Sequence, residues 1–158
     1  MPDLRAALGA GGFEDVTTYV QSGNIVLSSS ASTERVASDV TQLVKQRFGF
    51  DVVVLVRSKT QLAEVVARNP LAKIAVDPKR YLVTFLSEEL DRDIVDRMRT
   101  VAGPEEQFVV IGREVYSWHP AGVGRSPLWE RLAARSLGIA ATSRNWTTVT
   151  ALLAMAAG

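Results

Sequence analysis

With 158 residues, 47% of them hydrophobic and 22% charged, the chain can bury one core or two small ones. It has no cysteine and a single histidine, His119, which excludes disulfides, thiolate metal sites, a cysteine nucleophile and any site built on two histidines. A formal charge of +1 gives no global pull toward nucleic acid, no run nears the roughly 18 apolar residues of a membrane helix, and the N-terminus lacks a charged-then-apolar signal segment, so the expectation is a soluble, cytoplasmic protein.

Leu4 and Leu8 lie one helical turn apart, and Gly11-Gly12 closes that first helix. Val16 to Gln21 and Ile25 to Ser29 are β-branched runs joined by Ser22-Gly23-Asn24, a hairpin pattern. Ser32 is the predicted N-cap of a helix carrying Val36, Val40, Leu43 and Val44 on one stripe, with Gly49 as its stop. Asp51-Val-Val-Val-Leu-Val56 is apolar enough for a strand covered on both faces. Ser58 and Gln61 have capping-box spacing and open a helix with Leu62, Val65 and Val66 that ends at Asn69-Pro70.

Residues 70–80 read as an irregular link, dividing a first half, 1–69, from a second, 81–158. In the second half Tyr81 to Leu86 is a strand, and Ser87 caps a helix carrying Leu90, Ile94, Met98 and Val101. Gln107 to Trp118 is a hairpin turning at Gly112-Arg113. Ser126-Pro127 opens a helix running to Gly138, a short strand covers Ala140 to Ser143, and a last helix starts near Asn145. The second half is thus βαββαβ plus a helix, and the first is αββαβ, the same order without its opening strand. The predicted class is α+β: two ferredoxin-like βαββαβ units with antiparallel sheets, the first strand of the first unit missing, and possibly fused into one domain.

Three segments carry a family resemblance: DLRAALGAGGFEDVTTYVQSGNIVLSS, DPKRYLVTFLSEE and GVGRSPLWERLAARSLGIAATSRNWTTVTAL. With Gln21-Ser22-Gly23-Asn24 and Thr142-Ser143-Arg144-Asn145-Trp146, the chain resembles the bacterial domain-of-unknown-function family 1697. The resemblance implies a ferredoxin-like α+β fold and no established activity. Members of that family begin farther upstream, with an apolar strand and a Gly-containing loop rich in Arg and Asn. Its absence here matches the missing strand of the element count; either the start is recorded too far downstream, which is favoured, or another segment or chain supplies the strand.

Candidate chemistry concentrates at two helix starts. Gly122, Gly124, Arg125 and Ser126 form a Gly-rich loop entering one helix, and Arg144 and Asn145 enter another; free N–H groups and a guanidinium suit an anion there. Gly122-Val-Gly-Arg-Ser126 is not a phosphate-binding P-loop, since it lacks the Gly-Lys-Ser/Thr ending, and the same residues equally make a turn and two caps. Gln21 and Asn24 put uncharged donors and acceptors at a hairpin tip, for turn chemistry or for orienting a ligand.

Tyr116 and Trp118 share a strand face, with Phe108 on the partner strand, a pattern nucleic-acid-binding sheets use; the near-zero charge does not favour it. His119 would be the base of any Ser/His/acid arrangement, with Ser117 or Ser126 nearby, although no Gly-x-Ser-x-Gly elbow supports one. Glu88, Glu89, Asp91, Asp93 and Asp96 alternate with arginines as a solvated helix face does, so neither a metal nor a cofactor is expected. Three functions follow: a non-enzymatic module binding a small anion such as a phosphate or nucleotide, which is favoured; an enzyme on a phosphorylated or nucleotide substrate; and an interaction or assembly domain. In the last, self-association would run through an unpaired sheet edge.

Overall fold

A computed structural model describes residues 2–19, 23–133 and 137–157. The chain divides into two compact units, Met1–Leu62 with Ala151–Gly158, and Ala63–Thr150.

In the first unit, α1 (Pro2–Ala10) ends as its composition requires, with Gly12 at φ +97 and the Phe13 N–H donated back to the Leu8 carbonyl. β1 (Glu14–Tyr19) and β2 (Asn24–Ser28) form a two-stranded antiparallel sheet with Thr17 opposite Val26 and Tyr19 opposite Asn24. The ladder slips between Glu14 and Thr17, where Asp15 takes φ +52 and accepts a hydrogen bond from the Ser28 hydroxyl at 3.1 Å. α2 (Thr33–Phe48) starts at the predicted cap, the Ser32 hydroxyl accepting the Arg35 N–H, and stops at Gly49 with φ +78. Its stripe of Val36, Val40 and Val44 meets Leu8 in a core to which Val16, Ile25 and Leu27 of the hairpin are packed.

The segment 51–56 departs from expectation. Val52, Val54 and Val56 pack on that same core, so the alternation of a strand is present, yet no residue of the segment pairs into a sheet among the described residues. A strand needs a neighbour as well as a pattern. Ser58 and Gln61 then close a reciprocal capping box at the start of α3 (Lys59–Arg68): the Ser58 N–H donates to Gln61 Oε1 at 2.8 Å, and the Gln61 N–H to Ser58 Oγ at 3.1 Å.

The second unit is organised by β3 (Tyr81–Leu86), in which every residue is buried. After it come α4 (Arg92–Val101), β4 (Gln107–Ile111), β5 (Glu114–Trp118), α5 (Pro127–Ala133), β6 (Ala141–Asn145) and α6 (Trp146–Ala157). The four strands form one antiparallel sheet in the order β4-β5-β3-β6. One sheet face presents Leu86, Val115, Phe108 and Val110 to Met98 of α4 and Leu128 and Leu132 of α5. The other carries Tyr81 and Tyr116, with the Trp146 ring stacked on Tyr81 at 4.8 Å. α3 covers this face: the Tyr116 hydroxyl donates to the Val65 carbonyl at 2.7 Å, and Arg68 pairs with Glu114 at 3.4 Å. Burial pushes the Tyr116 hydroxyl up to about 12, so it stays a donor throughout the physiological range.

Two local expectations are corrected. α4 is capped by Asp91, whose carboxylate accepts the Asp93 N–H, because Ser87 is used elsewhere: its hydroxyl accepts the Ala140 N–H at 3.1 Å and fixes the approach to β6. The helix expected to run to Gly138 is described as Pro127–Ala133; residues 134–136 lie outside the described residues, and Gly138 takes φ +75. Leu128, fully buried between sheet and α4, measures the helix-side core. Leu128→Ala is expected to lower unfolding free energy by about 2–5 kcal/mol, read as a reduced guanidinium midpoint at unchanged slope.

Candidate functional site

The register of the β4–β5 hairpin creates a buried polar cluster. Ile111 faces Glu114 across the Gly112-Arg113 turn, and the pairing runs back to Gln107 opposite Trp118. One step further along the same register, Glu106 stands opposite His119. The His119 ring is fully buried, and its Nδ1 lies 2.7 Å from Glu106 Oε2. Glu106 is held in turn by the Gly103 N–H on Oε1 at 2.8 Å and by the Ser126 hydroxyl on Oε2 at 2.5 Å. Ser126 Oγ also accepts the Trp129 N–H at 3.0 Å, which makes it the N-cap of α5. Nε2 of His119 is 2.8 Å from the hydroxyl of Ser117, and the Trp129 ring stands edge-on to the imidazole at 6.4 Å.

The proton positions follow from what each group can do. A carboxylate only accepts, so His119 Nδ1 carries the hydrogen that Glu106 receives, and Nε2 accepts from the Ser117 O–H. Burial lowers the His119 pKa below its usual 6.5, against the raising effect of Glu106, so the ring is neutral at pH 7. Burial raises Glu106, but the hydrogen bonds from Ser126, Gly103 and His119 outweigh it and hold the carboxylate below 4.5. Ser117, His119 and Glu106 therefore have the order and tautomer of a general-base relay. Ser117 and His119 are nonetheless both 0% exposed, so no substrate reaches the Ser117 oxygen in this conformation. The cluster ties the β4 entry, the β5 exit and the α5 start together, and it leaves no buried side-chain polar atom unpaired among the described residues.

Of the other predicted site residues, Gly122 takes φ +84 in a turn whose N–H donates to the His119 carbonyl, Gly124 has open space around it, and Arg125 is exposed in that loop. Arg144 is half-buried in β6, with Nη1 donating to Thr142 Oγ1 at 2.7 Å and to the Ser143 carbonyl at 2.8 Å; burial lowers its pKa. Asn145 Oδ1 accepts the Thr148 N–H at 2.9 Å and caps α6. Arg144 shares a sheet face with Val83, whereas α5, which Arg125 precedes, lies on the opposite face, so the two cations are not brought together. Asn24 is buried and donates to the Tyr19 carbonyl at 3.2 Å, closing the first hairpin; Gln21 lies outside the described residues.

The paired-aromatic surface is corrected. Tyr116 and Trp118 share a face but are buried, and Phe108, opposite Ser117, points to the other side among the helix contacts. No group of three or more His, Asp or Glu able to hold a metal occurs among the described residues. A cleft of about 420 Å³ between residues 69–74 and Gln107 contains Lys73 but none of the predicted site residues. Sequence reasoning also passed over the first unit's surface, where Phe48, Phe50 and Val53 are exposed by 37%, 54% and 65% and the two phenylalanine rings lie 6.3 Å apart.

The buried pair sets a direction for pH dependence. With its folded pKa lowered, His119 favours the native state fully above 6.5, and that contribution is lost as pH falls below 6.5 because the unfolded chain takes the proton first. Glu106, also lowered, acts in the same sense below 4.5. The urea midpoint is therefore expected to fall steadily from pH 7 to pH 4, and His119→Gln to flatten the upper part of that slope. A wild-type midpoint that rises on acidification would contradict the assignment.

A family model described as "Protein of unknown function (DUF1697)" matches residues 1–116. The fold is similar to that of a solved structure, the conserved bacterial protein SP0830 from Streptococcus pneumoniae, at a TM-score of 0.69 and 18% identity, over 99% of this chain and 88% of that one. No curated protein matches. No helix among the described residues is long and apolar enough to cross a membrane. On the extent of the sequence match, the chain belongs to the DUF1697 family of proteins of unknown function.

Proposed function

We propose that the chain is a non-enzymatic interaction module that binds through the edge formed by residues 48–57. The observation that carries this reading is the exposure of Val53 and Phe50 on a segment whose alternate residues, Val52, Val54 and Val56, are already anchored in the core. Such a segment has the alternation of a strand and pairs with no other strand among the described residues; main-chain pairing with a partner supplies affinity while the outward side chains select it. A catalytic reading finds less support, because the one relay-like arrangement is closed to solvent. The cytoplasm, where the sequence reading puts the chain, is the compartment of such a partner. Two ferredoxin-like units are the arrangement we infer behind this edge; the strand order β4-β5-β3-β6 supports the second of them. With a panel of short peptides of alternating β-branched and polar residues, at least one is expected to slow amide exchange at residues 52–56 by tenfold or more, and Val53→Lys to remove the effect. No slowing by any peptide would overturn the reading.

One observation favours a second ligand class. Arg144 is a cation partly withdrawn from water, where its field is less screened, and a phosphate or nucleotide is the small anion it would attract. The loop Gly122, Gly124, Arg125 and Ser126, with Asn145, would form a separate flank. Saturating phosphate or nucleotide at about a hundredfold over Kd is expected to add roughly 2.7 kcal/mol, a Tm rise of about 5–10 °C. Arg144→Ala should abolish that rise, and a rise that survives the substitution places the anion elsewhere.

A further inference from the structure

We propose that the cleft between residues 69–74 and Gln107, which lies wholly within the second unit, binds a small monocarboxylate with an apolar body. Its volume of about 420 Å³ is at the lower end of the range ligand clefts occupy, roughly 300–1,000 Å³, so the ligand is compact. Pro70, Leu71, Ala72 and Ile74 give it an apolar lining, and Lys73 is the single charged residue there among the described residues. Neither Lys73 nor Gln107 engages its side chain in an ion pair or hydrogen bond among the described residues. One ammonium beside an apolar wall is complemented by one negative charge on an apolar body, and the Gln107 amide adds a neutral donor. α3 ends at Arg68, immediately before the cleft. The negative pole of a helix C-terminus repels a dianion more than a monoanion, which sets this ligand apart from phosphate.

Both walls are fixed before a ligand arrives. Gln107 stands opposite Trp118 and Trp118 opposite Tyr81, so one rung of the sheet joins the Gln107 wall to Tyr81. Tyr81 is buried, and its hydroxyl donates to Asn69 Oδ1 at 2.8 Å, which holds the other wall. Asn69 takes φ +25, a backbone setting few non-glycine residues adopt, and the tyrosine bond helps to keep it there. The turn beyond is closed by the Ala72 N–H on the Asn69 carbonyl at 3.2 Å and the Ala75 N–H on the Leu71 carbonyl at 2.9 Å. A cleft held by its own hydrogen bonds loses little binding free energy to ordering.

Titration of the full chain with isocaproate, followed by amide proton–nitrogen correlation spectra, is expected to shift the backbone amides of residues 71–74 and the Gln107 side-chain amide along one saturating curve. Isocaproamide keeps the body without the charge, and inorganic phosphate keeps charge without the body. Each is expected to bind there about tenfold more weakly or worse. Lys73→Gln should weaken isocaproate about tenfold, and Lys73→Arg should retain it. Ala72→Trp, on an exposed residue, fills the cleft and is expected to abolish the shifts while the melting curve stays unchanged. Shifts that never saturate, or that centre on residues outside the cleft, overturn the proposal. An amide that binds as tightly as the carboxylate, or a folded Lys73→Gln that binds like the unmodified chain, refutes the role of charge and with it the ligand class. Phosphate binding at residues 71–74 as strongly as isocaproate refutes the apolar body in the same way.

Discussion

The pairing of β4 with β5 about the Gly112-Arg113 turn is the constraint on which most of the second unit depends. A hairpin register admits no intermediate settings, since a slip of one residue turns every side chain to the opposite face. The observed setting puts Phe108, Val110 and Val115 under the helices, Tyr116 under α3, and Glu106 beside His119. Helix α5 is drawn into the same arrangement because its N-cap, Ser126, donates to the Glu106 carboxylate. One turn thus sets core, cover and polar cluster together.

That polar cluster stabilises by being complete. A buried imidazole or carboxylate left without partners costs more than a satisfied hydrogen bond contributes, so the value of Glu106 lies in meeting three donors at once. The geometry resembles a catalytic relay because the same physics, an acceptor-only carboxylate fixing an imidazole tautomer, serves both purposes. Accessibility separates them, and here the serine is sealed beneath the sheet's helices.

Local signals in the sequence were reliable and distant ones were not. The caps at Ser32, Gly49 and the Ser58–Gln61 pair could be read because each involves residues within one turn of helix. The strand of the second hairpin was legible too, but the side on which Phe108 falls was not, for that depends on its pairing with Ser117 rather than Trp118. Glu106 went unnoticed beside five more conspicuous acidic residues, although counting outward from Gly112-Arg113 leads straight to its place opposite His119. Ser87 had the composition of a cap and the job of a brace to Ala140, a partner 53 residues away. The segment 51–56 has the composition and alternation of a strand and pairs with none among the described residues, because pairing is not a property of the segment alone.

That segment also bears on how the protein behaves when crowded. Five consecutive branched aliphatic residues without proline or glycine form the kind of run that stacks into cross-β fibrils once freed from the fold. Two features oppose this here. Alternate side chains are held in the core by α1 and α2, and the run is bracketed by Asp51 and Arg57, charges that act as gatekeepers against in-register stacking, where each would meet its own kind. Anything that loosens the first unit, such as mild heating, therefore exposes a sequence restrained at its ends by only two charges, and colloidal stability in this chain becomes a matter of those two residues.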